Sequence, residues 1–267
     1  MPFSISRRSF LDLATALAAA AGIGLAPAHA AEPPTIAAAA DLQFALTDVS
    51  AAFEAETGRE VKLTFGSSGN FFRQIQEGAP FEMYLSADEK FVFDLAKAGL
   101  AKDDGALYGI GRIVIMVPHG SPLKADGTLA DLKAGLADGR VTRFAIANPE
   151  HAPYGRRAKE ALQHQGLWES LQGKLVLGEN ASQAAQFATA GTAQGGIIAY
   201  SLALAPDVSR LGEFELIPDA WHEPLRQRMA LLRGSGETAE LFFAFMQEKP
   251  AREIMQRHGF VLPGEAM

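Results

Sequence analysis

The chain has 267 residues, of which 48% are hydrophobic and 21% are charged, a composition typical of globular proteins rather than disordered or membrane-embedded ones. The net charge of -7 argues against nucleic acid as a partner. Cysteine is absent, which excludes a disulfide framework and thiolate chemistry.

The first 30 residues have the features of a cleavable export signal. A basic start is followed by the apolar run Leu13–Leu25, and Ala28 and Ala30 are spaced as signal peptidase requires for cleavage before Ala31. The run is too short and too rich in Ala and Gly to favour a transmembrane helix. The paired Arg7 and Arg8 resemble a twin-arginine signal, and an ordinary export signal is the alternative. We therefore predict a signal peptide at 1–30 and a periplasmic protein.

The remaining chain alternates between strand and helix patterns. Helical patterns lie between most of the apolar, often β-branched segments, and two further helical patterns close the chain at 238–248 and 250–259. The predicted strands are 34–40, 60–65, 81–87, 112–118, 143–149, 174–180, 195–199, 213–218 and 224–232.

This order of elements predicts an α/β protein with mostly parallel sheets covered by helices. The length after cleavage favours two lobes over one large sheet. No Gly- or Pro-rich linker marks a boundary, so we expect the chain to cross between lobes in extended segments near Arg112–Pro118 and Leu216–Trp221. The predicted lobes are 31–114 plus 218–267, and 115–217.

Small and hydroxyl-bearing residues follow the predicted strands at the points where helices begin. The "FGSSGNF" junction carries Ser67 and Ser68 between two glycines, and "GENASQA" has Asn180 and Ser182 at a helix start. In open α/β sheets, ligands bind at such junctions. Helix N-termini offer free N–H groups and a positive dipole end, so the pattern indicates a site for a compact anion.

The order of these junctions resembles the molybdate/tungstate-binding proteins of bacterial ABC importers. The resemblance covers essentially the whole chain after the signal and is most specific in "FGSSGNFFRQIQEGAPFEMYLSADE" and "ANPEHAPYGRRAKEAL". It implies a two-lobed periplasmic-binding-protein fold of type II, with a tetrahedral dianion held in the cleft by hydrogen bonds. It also implies no metal, cofactor or catalysis, a monomer, and delivery of the anion to a membrane permease.

The resemblance also implies the site residues. Ala40 and Asp41 occupy the first ligand-binding loop, Ser68 supplies a hydroxyl and an amide, Tyr154 supplies a phenol, and Ala181 supplies a backbone amide. Three further candidates are Ser67, Ala199 and Tyr200, the last two because some relatives place a tyrosine where this chain has Ala199.

Asp41 departs from the family pattern, because relatives often carry a serine, threonine or asparagine there. An ionised carboxylate 4 Å from a dianion would be repelled by roughly 4 kcal/mol per unit charge pair. The side chain could instead cap the following helix, be protonated in the complex, or accept a proton from a ligand such as hydrogen phosphate. Position at a helix start favours capping.

Other functions use some of the same residues. Phosphate, sulfate, chromate or tungstate could replace molybdate, and Tyr154 and Tyr200 could serve a ferric site, although their spacing is poor for it. A serine hydrolase built from Ser68, His151 and Asp88 is a remote alternative, because the flanking sequence lacks the G-x-S-x-G pattern.

Overall fold

The computed structural model of the protein describes residues 32–264 together with Met1. The predicted export signal, apart from Met1, lies outside the described residues. Within residues 33–267, two five-stranded sheets form two lobes. The two sheets, each with helices around it, form the two-lobed α/β fold that the sequence predicts.

The elements follow one another as an almost regular alternation of strand and helix. The first lobe begins with β1 (Thr35–Ala39), α1 (Gln43–Thr57), β2 (Lys62–Gly66), α2 (Ser68–Gln76), β3 (Met83–Ser86), α3 (Glu89–Lys97) and β4 (Ala106–Gly111). The second lobe contains β5 (Ile113–Pro118), α4 (Ala130–Ala137), β6 (Phe144–Ala147), α5 (Pro153–His164), α6 (Trp168–Leu171), β7 (Leu175–Gly178), α7 (Ala181–Thr189), β8 (Gly196–Ala199), α8 (Tyr200–Ala203), α9 (Pro206–Ser209) and β9 (Gly212–Leu216). The chain then returns to the first lobe as β10 (Leu225–Leu231), α10 (Glu237–Phe245) and α11 (Lys249–Arg257). The described residues also form two 3₁₀ helices, Ala40–Leu42 and Asp219–Trp221.

The two sheets have the same design. Their strand orders are β2-β1-β3-β10-β4 and β7-β6-β8-β5-β9. In each sheet four strands run in one direction, and the strand that has just arrived from the other lobe, β10 or β5, runs antiparallel to both of its neighbours. This orientation follows because the crossing strand enters its sheet from the cleft side, where the parallel strands end. The α/β fold with mostly parallel strands is confirmed.

The chain crosses between the sheets at two short segments that lie side by side. The first is Arg112 between β4 and β5, and the second joins β9 to β10. Arg112 Nε lies 2.5 Å from Asp219 Oδ1, so an ion pair ties the two crossings together. Residues 113 and 114, which the predicted ranges place in the first lobe, pair with β8 in the second sheet. The β-branched run therefore enters its sheet directly after Arg112.

The C-terminal helices complete the core of the first lobe. Phe53 of α1 packs edge-to-face against Phe242, with ring centroids 5.1 Å apart, and against Phe245 at 5.6 Å. All three side chains are buried. Aromatic packing of this kind stabilises beyond the area that it buries, so the first lobe depends on both ends of the chain. No helix within the described residues is long and apolar enough to cross a membrane.

Candidate functional site

A small cavity lies between the two lobes, where several helices begin. Its water-accessible volume is about 10 Å³, roughly the room that one water molecule needs. The first lobe contributes Ala39, Ala40, Asp41, Gly66, Ser67, Ser68 and Ala87, and the second lobe contributes Ala152, Pro153, Tyr154 and Ala181. The size suits one small ion.

Helix N-termini converge on this cavity from both lobes. α2 begins at Ser68, α5 at Pro153 and α7 at Ala181, and the 3₁₀ helix begins at Ala40. The first amides of a helix have no partner within it, and they lie at the positive end of the helix dipole. No Lys or Arg is among the described residues that line the cavity. The site therefore attracts an anion with backbone N–H groups rather than with cationic side chains.

Ser68 is held with its hydroxyl at the cavity. Its Oγ accepts a hydrogen bond of 3.0 Å from the Ala87 amide, while Tyr84 donates to the Ser68 carbonyl at 2.7 Å. The side chain is buried. Because Oγ is already an acceptor from the protein, its own hydrogen is free to be donated to an anion in the cavity.

Asp41 lies at the centre of a buried polar network. Its Oδ2 accepts a 3.0 Å hydrogen bond from the Tyr154 hydroxyl and a 2.8 Å bond from Gln227 Nε2. Gln227 also donates to the Tyr154 oxygen at 3.0 Å and accepts from the Tyr108 hydroxyl at 2.7 Å. The network joins Asp41 and Tyr108 of the first lobe and Gln227 of the crossing strand to Tyr154 of the second lobe.

Burial dominates the titration of this carboxyl group. Desolvation raises the pKa of Asp41 from 3.8 to about 6, although hydrogen bonds from Gln227 and Tyr154 act in the opposite direction. The second carboxyl oxygen, Oδ1, is buried and has no hydrogen-bond partner in the protein. An unpartnered carboxylate oxygen at this depth is costly, which favours the protonated form.

The lobes are closed on each other around the cavity. The His151 carbonyl in the second lobe accepts from Ser67 Oγ at 2.6 Å and from the Gly69 amide at 2.9 Å. Ser182 donates to the Ala40 carbonyl at 2.9 Å. At the rim, Arg156 pairs with Asp88 at 2.9 Å. The closed arrangement is thus stabilised mainly by hydrogen bonds to backbone carbonyls.

Two glycines allow the lobes to approach this closely. A Cβ atom on Gly69 would lie 2.6 Å from the His151 carbonyl oxygen, and one on Gly111 would lie 2.2 Å from the Tyr154 hydroxyl. Neither glycine has a positive φ, so the requirement is for space between the lobes and not for an unusual backbone conformation.

Comparison with known proteins agrees with this architecture. Residues 34–261 match the family described as bacterial extracellular solute-binding protein. The chain belongs to this family. Its members are solute receptors that lie outside the cytoplasm.

Individual relatives give a more specific likeness. The molybdate-binding protein ModA of Rhodobacter capsulatus is 36% identical over 93% of this chain and 95% of its own length. ModA of Azotobacter vinelandii is 32% identical over 98% of this chain and 100% of its own. The solved structure of the Azotobacter vinelandii periplasmic molybdate-binding protein superposes with a TM-score of 0.77 and 28% identity, covering 86% of this chain and 99% of that one.

The solute-binding fold brings six of the predicted site residues to one cavity. They are Ala40, Asp41, Ser67, Ser68, Tyr154 and Ala181. Ala199 and Tyr200 are not among the described residues that line this cavity. Ala199 ends β8 in the core, and the ring of Tyr200 packs against Phe214 with centroids 6.1 Å apart. Ligand contact by the six residues stays a prediction.

The prediction that the Asp41 side chain caps the following helix is wrong. Asp41 lies within the 3₁₀ helix, and Leu42 precedes α1 without a side-chain capping bond. Its carboxylate instead accepts hydrogen bonds from Tyr154 and Gln227. A hydrogen bond in a buried site stabilises the carboxylate more than a solvent-facing capping bond would. For the same reason the Tyr154 hydrogen, predicted to reach the anion, is donated to Asp41.

The residues of the hydrolase alternative are not assembled as a triad. Ser67, rather than Ser68, lies 2.9 Å from His151 Nδ1, and its hydrogen is directed to the His151 carbonyl. Asp88 caps α3 and pairs with Arg156. In the part of the chain that the structure describes, no cluster of three His, Cys, Asp or Glu side chains could hold a metal ion.

Sequence reasoning missed Gln227, which is buried and bonds to both Asp41 and Tyr154. The strand pattern "PLRQRMALL" does contain one indication that Gln227 is special. Gln227 lies between Arg226 and Arg228 in β10, at an alternate position where a core-facing strand residue would be apolar. A polar residue at a core position requires a buried partner, and here that partner is 186 residues away.

Asp41→Asn gives a first test of this network in the protein without ligand. Because the folded-state pKa lies above the unfolded one, the wild type loses stability relative to the variant as pH rises from about 4 to about 6. At 1.36 kcal/mol per pKa unit the difference amounts to about 3 kcal/mol above pH 7. Urea unfolding of both proteins at pH 4.5 and pH 7.5 should show about 2 kcal/mol of this loss, because the remainder occurs below pH 4.5. A stability difference between the two proteins that is the same at both pH values would contradict a raised pKa.

Proposed function

We propose that the protein is a periplasmic receptor that captures molybdate or tungstate and delivers it to the membrane permease of an ABC importer. The observation that carries the proposal is the convergence of α2, α5 and α7 on a closed cavity with uncharged donors. A compact dianion is the ligand that such donors can enclose. The relatives named as molybdate-binding, matched over nearly their full length, support the choice of anion.

The role proposed is capture without catalysis. The anion is dehydrated between the lobes and held by the amides at Ser68, Tyr154 and Ala181 together with the Ser68 hydroxyl. Closure is a hinge motion about the two crossing segments near Arg112 and Asp219. We further propose that the protein acts as a monomer, requires no cofactor, and is exported by the twin-arginine route.

A second candidate ligand is hydrogen phosphate. The observation that favours it is the buried Asp41 Oδ1, which has no partner and could accept a proton that the ligand carries. Sulfate carries no proton near neutral pH and therefore cannot donate a hydrogen bond to this oxygen. The choice between molybdate and phosphate is therefore open to a direct binding measurement.

Calorimetric titration of the mature protein with molybdate, tungstate, sulfate and phosphate at pH 5.5 tests the function. We expect molybdate and tungstate to bind tightly and with similar affinity, because they have nearly the same size, while sulfate and phosphate give no heat at the same concentration. Binding of phosphate with no response to molybdate would overturn the assignment in favour of the second candidate.

Ser68→Ala removes the only side-chain hydroxyl that we assign to the anion. We expect molybdate affinity to fall by about 1–3 kcal/mol, the usual value of a hydrogen bond to a charged group. Ser50→Ala is the matched control, because the Ser50 hydroxyl bonds only within its own helix. Equal affinities of the two variants would remove Ser68 from the anion site.

Gly69→Ala tests whether closure is needed for tight binding. The new Cβ would lie 2.6 Å from the His151 carbonyl oxygen of the closed form, whereas within α2 alanine is favoured over glycine by up to about 1 kcal/mol. We expect molybdate affinity to fall more than tenfold while the melting temperature of the ligand-free protein does not fall. Gly236→Ala, whose nearest contact is a flexible glutamate at 3.4 Å, is the control. Unchanged affinity would show that these backbones are free to separate in the complex.

A further inference from the structure

Among the described residues that line the cavity, Asp41 is the one acidic residue and none is a lysine or arginine. Asp41 is 1% exposed, and it lines the cavity together with neutral side chains. A dianion placed there meets this carboxyl group at close range. The repulsion between the two depends on whether Asp41 is ionised or protonated.

The two oxygens of Asp41 have different surroundings. Oδ2 accepts from Tyr154 and Gln227, whereas Oδ1 is buried without a partner. This asymmetry matches a neutral carboxylic acid, in which the carbonyl oxygen accepts two hydrogen bonds and the hydroxyl oxygen carries a proton for donation. An ionised Oδ1 could only accept hydrogen bonds, and a fully ionised anion beside it has no hydrogen to donate.

We propose that the bound oxyanion and Asp41 share one proton, so that anion binding takes up a proton from solvent. The inference rests on the proposed function, because it concerns an anion that arrives without a proton. The proton bonds to Oδ1, the resulting O–H donates to an oxygen of the anion, and Oδ2 keeps its two hydrogen bonds. No covalent bond of the anion changes.

The groups that face Asp41 make it the site of this proton. Tyr154 from α5 and Tyr108 from β4 have pKa values raised by burial, and they stay protonated throughout the neutral range. The other residues that the contacts place around Asp41 are uncharged. Gln227 from β10 donates to Oδ2, Ser201 from α8 donates to the Asp41 carbonyl, and Ala181 from α7 and Gly66 from β2 line the same cavity.

More distant charges already have partners. Asp48 of α1 contacts His258 at 2.8 Å, and Arg112 pairs with Asp219. Two nearer groups also have other partners: Arg156 of α5 pairs with Asp88 at 2.9 Å, and His151 lies 2.9 Å from Ser67 Oγ and 3.5 Å from Glu179. Among the described residues, no cationic side chain is hydrogen-bonded to the Asp41 carboxyl group. In the closed arrangement without an anion, burial raises the pKa of Asp41 to about 6, which is consistent with this isolation, and a dianion in the cavity would raise the pKa further.

The alternative reading of Oδ1 makes the opposite prediction. If Asp41 stays ionised and accepts a proton brought by hydrogen phosphate, no proton is taken up by the carboxyl group. Replacement by asparagine would then weaken binding, because an amide cannot accept through its N–H₂ group. For molybdate the same replacement keeps an acceptor for Tyr154 and Gln227, and it supplies a permanent donor to the anion.

The experiment is calorimetric titration with sodium molybdate from pH 5.5 to pH 8.5, in two buffers of different ionisation enthalpy at each pH. Only the protonated fraction of Asp41 binds, so the apparent affinity of the wild type is expected to fall by roughly 10- to 300-fold between pH 5.5 and pH 8. The buffer dependence of the heat should report uptake of about one proton per anion at pH 8.

Asp41→Asn is the informative variant, and Asp48→Asn is its matched control on the neighbouring helix. We expect Asp41→Asn to bind molybdate with nearly constant affinity over this range, without proton uptake, and more tightly than the wild type at pH 8. Asp48→Asn should keep the wild-type pH dependence. A pH-independent wild type, or proton uptake that persists in Asp41→Asn, would overturn the inference.

The two proposals fail in different ways. Tight molybdate binding that does not vary with pH keeps the proposed function and removes the proton. Absence of molybdate binding even at pH 5.5, with phosphate bound by the wild type and lost in Asp41→Asn, removes both, because Asp41 would then be a proton acceptor.

Discussion

The structure depends on the close approach of two backbones across the cleft. The donors that face the cavity belong mainly to helix N-termini, and a backbone amide reaches an ion only if no side chain intervenes. Alanine and glycine therefore line much of the site, and Gly69 and Gly111 lie where a Cβ atom would meet the opposite lobe. The small residues at this interface are thus a requirement of a site that binds through backbone donors.

The lack of a cation also explains why one oxygen of Asp41 has two neutral donors. A site without cations cannot stabilise an ionised carboxylate by charge pairing, so the protein supplies Tyr154 and Gln227 to one oxygen. Gln227 is held in turn by Tyr108. Because Tyr154 belongs to the second lobe and Gln227 to a crossing strand, the network forms in full only when the lobes are closed.

Much of the fold could be predicted from the sequence, because its signals are local. β-branched runs marked strands such as Ile113–Pro118, and the small and hydroxyl residues at strand ends marked the loops that meet at the cavity. The strand Ala106–Gly111 was not predicted, since its two glycines and lone tyrosine give no clear alternation. The orientation of Asp41 depends on residues 113 and 186 positions away. No local pattern could specify those partners.

The return of the chain to its first lobe has a consequence for synthesis. The second lobe is continuous from β5 to β9, so all of its strands are available once the chain has been made to Leu216. The sheet of the first lobe lacks an interior strand, β10, until Leu231 has been made, and Phe53 has no ring partners until α10 is complete. Domains tend to fold as units during synthesis. The lobe that begins first is thus the lobe that finishes last, and its exposed apolar face is the part of the nascent protein in greatest need of protection.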